Sequence, residues 1–225
     1  MNTNKIKFLI YKFPEMGILI GVILSFLIFY FADNSMADVS TLVRMATQGT
    51  CIGFAAYGMS YLMITGEIDL SSGAVAGLAA TVSGMMLDSG YNELISYTSA
   101  LSVAALVGLL NSFMTLVIGI PSFFGTLGTS FAASGLIIWL LKGRWIYTGD
   151  FIPFLDFLFS PSPFFEFPWV FLFYAILIIF GDILIRTSKL GTILKATGGN
   201  VLSAKIAGIN TNYVKTLCFL FTSIN

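Results

Sequence analysis

Histidine is absent from this chain, and charge is scarce. The 225 residues include no His, eleven Lys and Arg, eleven Asp and Glu, and two Cys. Without His the commonest general base and metal ligand is missing, which weighs against a hydrolase or metalloenzyme. A net charge of zero at pH 7 weighs against a nucleic-acid binder. Cys51 and Cys218 lie far apart in apolar runs, lack metal-ligand spacing and read as small packing residues. Only 10 % of the residues are charged, against about 25 % in soluble domains. So few charges cannot cover a soluble surface.

What the chain does have is apolar bulk. Hydrophobic residues make up 57 % of it, 22 residues are Phe, and the mean hydropathy is +0.92. Disorder needs the opposite composition. The chain therefore uses lipid as its solvent and reads as an all-α polytopic membrane protein. Residues 16–32, 45–64, 70–87, 94–120, 122–141 and 169–185 form six apolar spans, and 213–225 begins a seventh. The first span, rich in Ile, Leu and Phe, reads as lipid-facing and uncleaved. The third carries Gly73, Ala74, Ala76, Gly77, Ala79, Ala80 and Gly84, which leave its backbone open to neighbours and place it inside a bundle. Pro153, Pro161, Pro163 and Pro168 keep the connection 142–168 from forming one helix.

The few charges orient the chain. Lys5, Lys7 and Lys12 put the N-terminus in the cytoplasm by the positive-inside rule. Arg186, Lys189, Lys195, Lys205 and Lys215 follow one another without an intervening acid and mark a second cytoplasmic segment. Asp150, Asp156 and Glu166 lie in a stretch without Lys or Arg, which faces outside. An even number of spans between the two cytoplasmic segments agrees with this layout. Asp182 and Arg186 read as a local i,i+4 pair.

Three blocks interrupt the apolar pattern. In Thr65-Gly66-Glu67-Ile68-Asp69-Leu70-Ser71-Ser72-Gly73, two carboxylates fall between two apolar runs without a cationic neighbour in sequence. At membrane depth each costs roughly 2.5–3.5 kcal/mol, so such acids turn toward a bundle interior or an aqueous cavity. A broken or re-entrant helix here would put polar groups beside a substrate path. An ordinary turn in which Asp69, Ser71 or Ser72 caps the next helix explains the same residues. In the second block, Gly108–Asn111 precedes Pro121–Thr129. Thr126 and Thr129 offer hydroxyls that either line a path or bond the preceding turn, and Asn111 either bridges helices or contacts a ligand. The third block runs from Gly191 to Ile209. Asn200 suits an N-cap and Gly208 a C′ position, bracketing a short amphipathic helix, with Gly198-Gly199 turning the chain into it. Such a helix suits docking to another protein or serves as a solvated basic loop. The glycine pair lacks the Lys-Ser/Thr of a phosphate loop.

In this order the blocks resemble the ribose/galactose/xylose-type permease family of ATP-binding-cassette importers, over residues 40 to 225. The matching residues are Gly66–Gly73, Gly108–Asn111, Pro121–Thr129 and the loop ending Ala196-Thr197-Gly198-Gly199-Asn200, Ala204, Gly208-Ile209. Glu67 stands where that family usually has Gly. The resemblance implies one transmembrane permease domain over 1–225, with 186–212 as its cytoplasmic coupling loop. It implies a chain incomplete at its C-terminus, because members usually run longer. It implies an inner-membrane subunit, not an enzyme, that passes a ribose-like pentose or a hexose. An extracytoplasmic binding protein would deliver the sugar and a second permease copy would complete the pathway. A cytoplasmic ATPase would clasp Gly198, Gly199, Asn200, Ala204, Lys205 and Gly208. ATP would be used by that partner, leaving this subunit without a cofactor. Glu67, Asp69, Ser71, Asn111, Thr126 and Thr129 are the substrate-path candidates. A permease for nucleosides or branched-chain amino acids has similar loops. An alternative from another class is an ion-coupled secondary transporter that uses Glu67 and Asp69.

Overall fold

The computed structural model describes residues 16–146, 152–163 and 167–225. Lys5, Lys7, Lys12, Asp150 and Glu166, which carry part of the orientation reading, lie outside the described residues.

Among the described residues the chain forms ten α-helices. Helix α1 (Met16–Ala32) is apolar on every side and buries none of its residues, as a lipid-facing helix should. A 3₁₀ turn at Asn34–Ala37 leads into α2 (Val39–Ile64), and residues 65–71 separate it from α3 (Ser72–Asp88). Helix α4 (Glu93–Phe113) starts at Asn92, whose side chain accepts the Ile95 N–H. It widens into a π turn at Met114–Ile118 and stops at Gly119, whose φ of 85° is left-handed. Helix α5 (Ser122–Leu141) follows, with Pro121 in the capping position ahead of the first turn.

The proline-rich connection holds only a short α6 (Pro153–Phe159). It leans on the helices beside it, with Phe157 stacked on Trp169 at 5.6 Å and Tyr97 tilted against Phe154 at 5.8 Å. Helix α7 (Trp169–Thr187) then leads to α8 (Lys189–Gly199), α9 (Val201–Ile206) and α10 (Thr211–Ile224). Within residues 186–212, expected as a basic loop with one short helix between Asn200 and Gly208, that helix forms as α9, and α8 is a second one ahead of it. Among the described residues, three segments combine the length and apolarity of a membrane span: Glu93–Ile118, Ser122–Leu141 and Trp169–Thr187. Helices α1 and α3 have 17 residues each, and α2 is longer but interrupted by Thr, Gln and Ser.

Helix α10 packs on both α2 and α4, α3 packs on α4 and α5, and α7 also packs on α2. Small residues let these backbones approach. A Cβ at Gly58 would sit 3.0 Å from the Thr222 Cα, and one at Gly108 would sit 2.7 Å from the Ser223 Oγ. Between lipid-solvated helices there is little hydrophobic drive to associate, so close packing and hydrogen bonds hold them together. Thr222 supplies one such bond, its hydroxyl donating to the Gly58 carbonyl at 3.0 Å. Tyr61, Leu62, Leu194, Cys218 and Phe219 form a buried cluster where α2, α8 and α10 meet. Cys218 is therefore a packing residue as expected, whereas Cys51 is exposed on α2.

The glycine-rich third span is interior only in part. Val75, Leu78, Thr81 and Gly84 are buried, and a Cβ at Gly77 would press on Ile137 at 3.2 Å. Nothing approaches Gly73. On α7, Asp182 and Arg186 form the expected i,i+4 pair at 2.7 Å, both solvent-exposed.

Candidate functional site

The break between α2 and α3 begins where α2 runs out of apolar residues. Gly66 takes a φ of 85°, which reverses the chain at no steric cost. The Glu67 N–H still reaches back to the Leu62 carbonyl at 3.3 Å. Beyond it the chain leaves the helix and gives up its helical hydrogen bonds. Side chains from the start of α5 replace them. The Ile68 N–H donates to the Ser122 Oγ at 3.2 Å, and the Leu70 N–H donates to the Thr126 Oγ1 at 3.0 Å. Thr126 in turn donates to the Ser122 carbonyl at 2.7 Å.

Asp69 is almost wholly buried at the centre of this segment. Its Oδ1 accepts both the Ser71 N–H at 2.7 Å and the Ser71 hydroxyl at 2.6 Å. The Ser71 Oγ accepts from the Asn111 Nδ2 at 2.8 Å, and the Asn111 Oδ1 accepts from the Thr129 hydroxyl at 2.7 Å. Thr129 is also placed to donate to the Thr126 carbonyl at 2.9 Å. One connected network thus joins the break, α4 and α5. Ser71 occupies the capping position of α3 without making a side-chain cap bond, because its hydroxyl is committed to this network. Among the described residues the Asp69 Oδ2 has no hydrogen-bond partner.

Glu67 has the cation that its sequence neighbourhood lacks. The Lys215 Nζ of α10 lies 2.6 Å from its Oε1, with the two side chains only 12 % and 15 % exposed. Lys215 counted in the sequence as part of the basic cytoplasmic segment, yet it sits inside a helix with its charge paired. All six substrate-path candidates therefore gather around the break. Five of them share the Asp69 network or its α5 supports, and Glu67 looks away toward α10. Asn111 joins helices, as one of its two sequence readings requires.

The second group of residues lies next to the first. Ser188 caps α8 by accepting the Gly191 N–H at 3.2 Å. Leu194 and Thr197 bury one face of α8. Gly198 closes on the Ile64 carbonyl so tightly that a Cβ there would overlap it. Gly198 and Gly199 do not turn the chain, since both still belong to α8 and neither has a positive φ. The turn occurs at Asn200, which is extended at φ −156°. Gly198 is small for contact with α2, while nothing surrounds Gly199.

Asn200 caps α9, accepting the Ser203 N–H at 2.9 Å. The helix ends as expected at Gly208, with φ 83°. The Gly208 N–H reaches the Lys205 carbonyl and the Ile209 N–H reaches the Ala204 carbonyl, both at 3.0 Å, the bond pattern of a Schellman cap. Ala204 is buried and serves packing. Leu202 and Ile206, four residues apart, point outward at 69 % and 81 % exposure. Sequence reading passed over both, although two apolar residues at helical spacing between two caps were visible.

The described residues thus form a bundle of apolar helices, with a break between α2 and α3 filled by buried polar side chains and the end of α8 set against it. Residues 41–224 match the family described as "Branched-chain amino acid transport system / permease component". The chain belongs to that permease family. It is similar to the autoinducer 2 import system permease protein LsrC of Escherichia coli O9:H4, with 27 % identity over 91 % of this chain and 59 % of that protein. The LsrC of Photorhabdus luminescens is 28 % identical over 93 % of this chain and 62 % of its own length. The LsrC of Yersinia enterocolitica is 27 % identical over 92 % and 56 %. The chain thus spans about three-fifths of the length of these curated relatives. No solved structure matches it.

Proposed function

We propose that this chain is the membrane-spanning part of an ATP-driven importer for a small, sugar-like solute. An extracytoplasmic binding protein delivers the solute, and a second permease copy faces this one across the pathway. The N-terminus and the α8–α9 segment face the cytoplasm, where an ATP-binding-cassette ATPase docks. The ATP belongs to that ATPase, and this subunit supplies the path and its mechanical linkage. Membership of a permease family supports the transport class. The names of the LsrC relatives, autoinducer 2 import system permeases, support a small autoinducer-like solute as the cargo.

The observation that carries the reading is the seating of α9. This helix is capped at Asn200 and Gly208, presents Leu202 and Ile206 outward, and follows Gly198, which abuts the last carbonyl of α2. Two exposed apolar side chains on a polar, basic segment invite a protein partner. A push on α9 reaches Ile64, and through it the break that carries Glu67, Asp69 and Ser71. In this reading, Asn111, Thr126 and Thr129 hold the break in shape, and its polar groups border the path.

Co-expression with a candidate ATP-binding-cassette subunit tests the docking role. Replacing Leu202 and Ile206 with Asp, or changing Gly199 and Asn200 together, should abolish co-purification of the ATPase while the permease still inserts. Normal recovery of the ATPase with both double variants would remove the docking role from α9.

The family description also names branched-chain amino acids, which favours a second solute class. Competition of labelled uptake by leucine rather than by pentoses or autoinducer 2 would select it.

A further inference from the structure

We propose that Glu67 and Lys215 form a charge latch that holds α10 against the break, and that displacement of α8 and α9 releases it. The inference rests on the importer reading above and assigns the pair a positioning role, not contact with the solute.

Helix α10 carries one charged residue, Lys215, on a face packed among apolar and hydroxyl side chains. Its neighbour Thr216 shares a 2.7 Å hydrogen bond with Ser112 of α4. Further along, Thr222 bonds Gly58 of α2, and the Ser223 side chain and the Phe219 carbonyl lie against Gly108 of α4. These contacts fix α10 to α2 and α4 along its length, and α10 also touches α3 and α8. None of them reaches the break. The Lys215–Glu67 pair is the link that does, through an arm of two flexible side chains ending on the residue after Gly66. A buried ion pair is a poor device for stability alone, since desolvation of both charges offsets much of their attraction. It is a good switch, because separating the charges is costly until water reaches them.

The same junction touches the docking segment. Gly198 of α8 abuts Ile64, three residues before Glu67. Leu194 of α8 and Cys218 of α10, three residues after Lys215, belong to one buried cluster. A shift of α8 therefore moves the backbone that carries Glu67 and loosens the packing around Cys218 in one motion. Glu67 has no other cation within ion-pair distance among the described residues, and Asp69 turns its carboxylate to Ser71 instead.

Cys218 reports on the latch directly. In a Cys51→Ser background it is the one thiol in the chain. The permease in native membranes is treated with a membrane-permeant maleimide, and the labelling rate of Cys218 is compared with the thermal unfolding midpoint of the same sample. Glu67→Gln and Lys215→Met should each raise the labelling rate roughly tenfold, within the range of coupling between linked sites, at temperatures where the protein remains folded. Lys215→Arg should keep the original rate, and the swap Glu67→Lys with Lys215→Glu should return toward it. Unchanged labelling in the single variants overturns the latch, as does labelling that merely tracks the unfolded fraction. If the single variants do not fold, the swap decides: a folded chain with protected Cys218 supports the latch, and a misfolded or rapidly labelled one overturns it. Labelling needs no ATPase. A flat result therefore removes the latch while leaving ATPase capture by α9 intact, and failed capture with a full labelling response removes the docking role while leaving the latch.

Discussion

The Asn111 amide donates to the Ser71 hydroxyl at 2.8 Å, across 40 positions of sequence. That bond lets α4 hold the first turn of α3 and, through Ser71, the carboxylate of Asp69. The break is therefore not a loose loop between two spans. It is a shaped segment whose lost backbone bonds are replaced by side chains of α5, while Asn111 of α4 holds the Ser71 side chain.

Because the network is buried, removing one member strands the others. Asn111→Ala should lower stability by about 1–3 kcal/mol, read as a drop in the thermal midpoint of the detergent-solubilised protein. Combined with Ser71→Ala, it should show a coupling of about 0.5–2 kcal/mol. Strictly additive losses would mean that the two side chains do not act through one another.

The two adjacent glycines should behave differently. Gly198→Ala places a methyl group against the Ile64 carbonyl and should cost about 1–3 kcal/mol by overpacking, or displace α8 from α2. Gly199→Ala meets open space and should leave the midpoint within about 0.5 kcal/mol of the parent. Equal effects would contradict the close approach of α8 to the end of α2.

Loss of the α9 cap should be a local event. Asn200→Ala removes the acceptor of the Ser203 N–H and should weaken α9 by about 1 kcal/mol. Hydrogen exchange should rise at residues 201–206, while the buried cluster around Leu62 and Phe219 keeps its protection. Asn200→Ser should restore most of the loss.

The exposed pair on α7 should matter little. Asp182→Asn should change the midpoint by no more than about 0.5 kcal/mol, since solvent screens such pairs. A larger loss would mean that this face of α7 is covered in the membrane.

The sequence made much of this architecture legible, for physical reasons. Apolar runs must be helices in lipid, and caps such as Asn200 and Gly208 work through their nearest neighbours, so both were readable locally. The polar candidates Glu67, Asp69, Ser71, Asn111, Thr126 and Thr129 stood out because polar groups inside apolar runs need partners. The partners themselves were not readable. Lys215 lies 148 positions from Glu67, and it looked like one more cation of a cytoplasmic segment. Ser122 looked like the start of a helix and became a support for the break. Gly198 suited a turn by composition, yet its small size serves contact with Ile64, which depends on how α8 folds back. Leu202 and Ile206 were passed over because two apolar residues in a basic stretch carry little signal until their exposure is seen.

Energised uptake tests the central claim most directly. The permease, its candidate ATPase and the binding protein are reconstituted in vesicles, and uptake of labelled autoinducer 2 or ribose is followed with and without internal or external ATP and with the ion gradients collapsed. The importer reading predicts uptake that requires ATP on the side of α8 and α9, survives collapse of the gradients and is lost when Leu202 and Ile206 become Asp. Uptake that persists without ATP and vanishes with the ion gradient would contradict it and turn Glu67 and Asp69 into candidates for ion coupling.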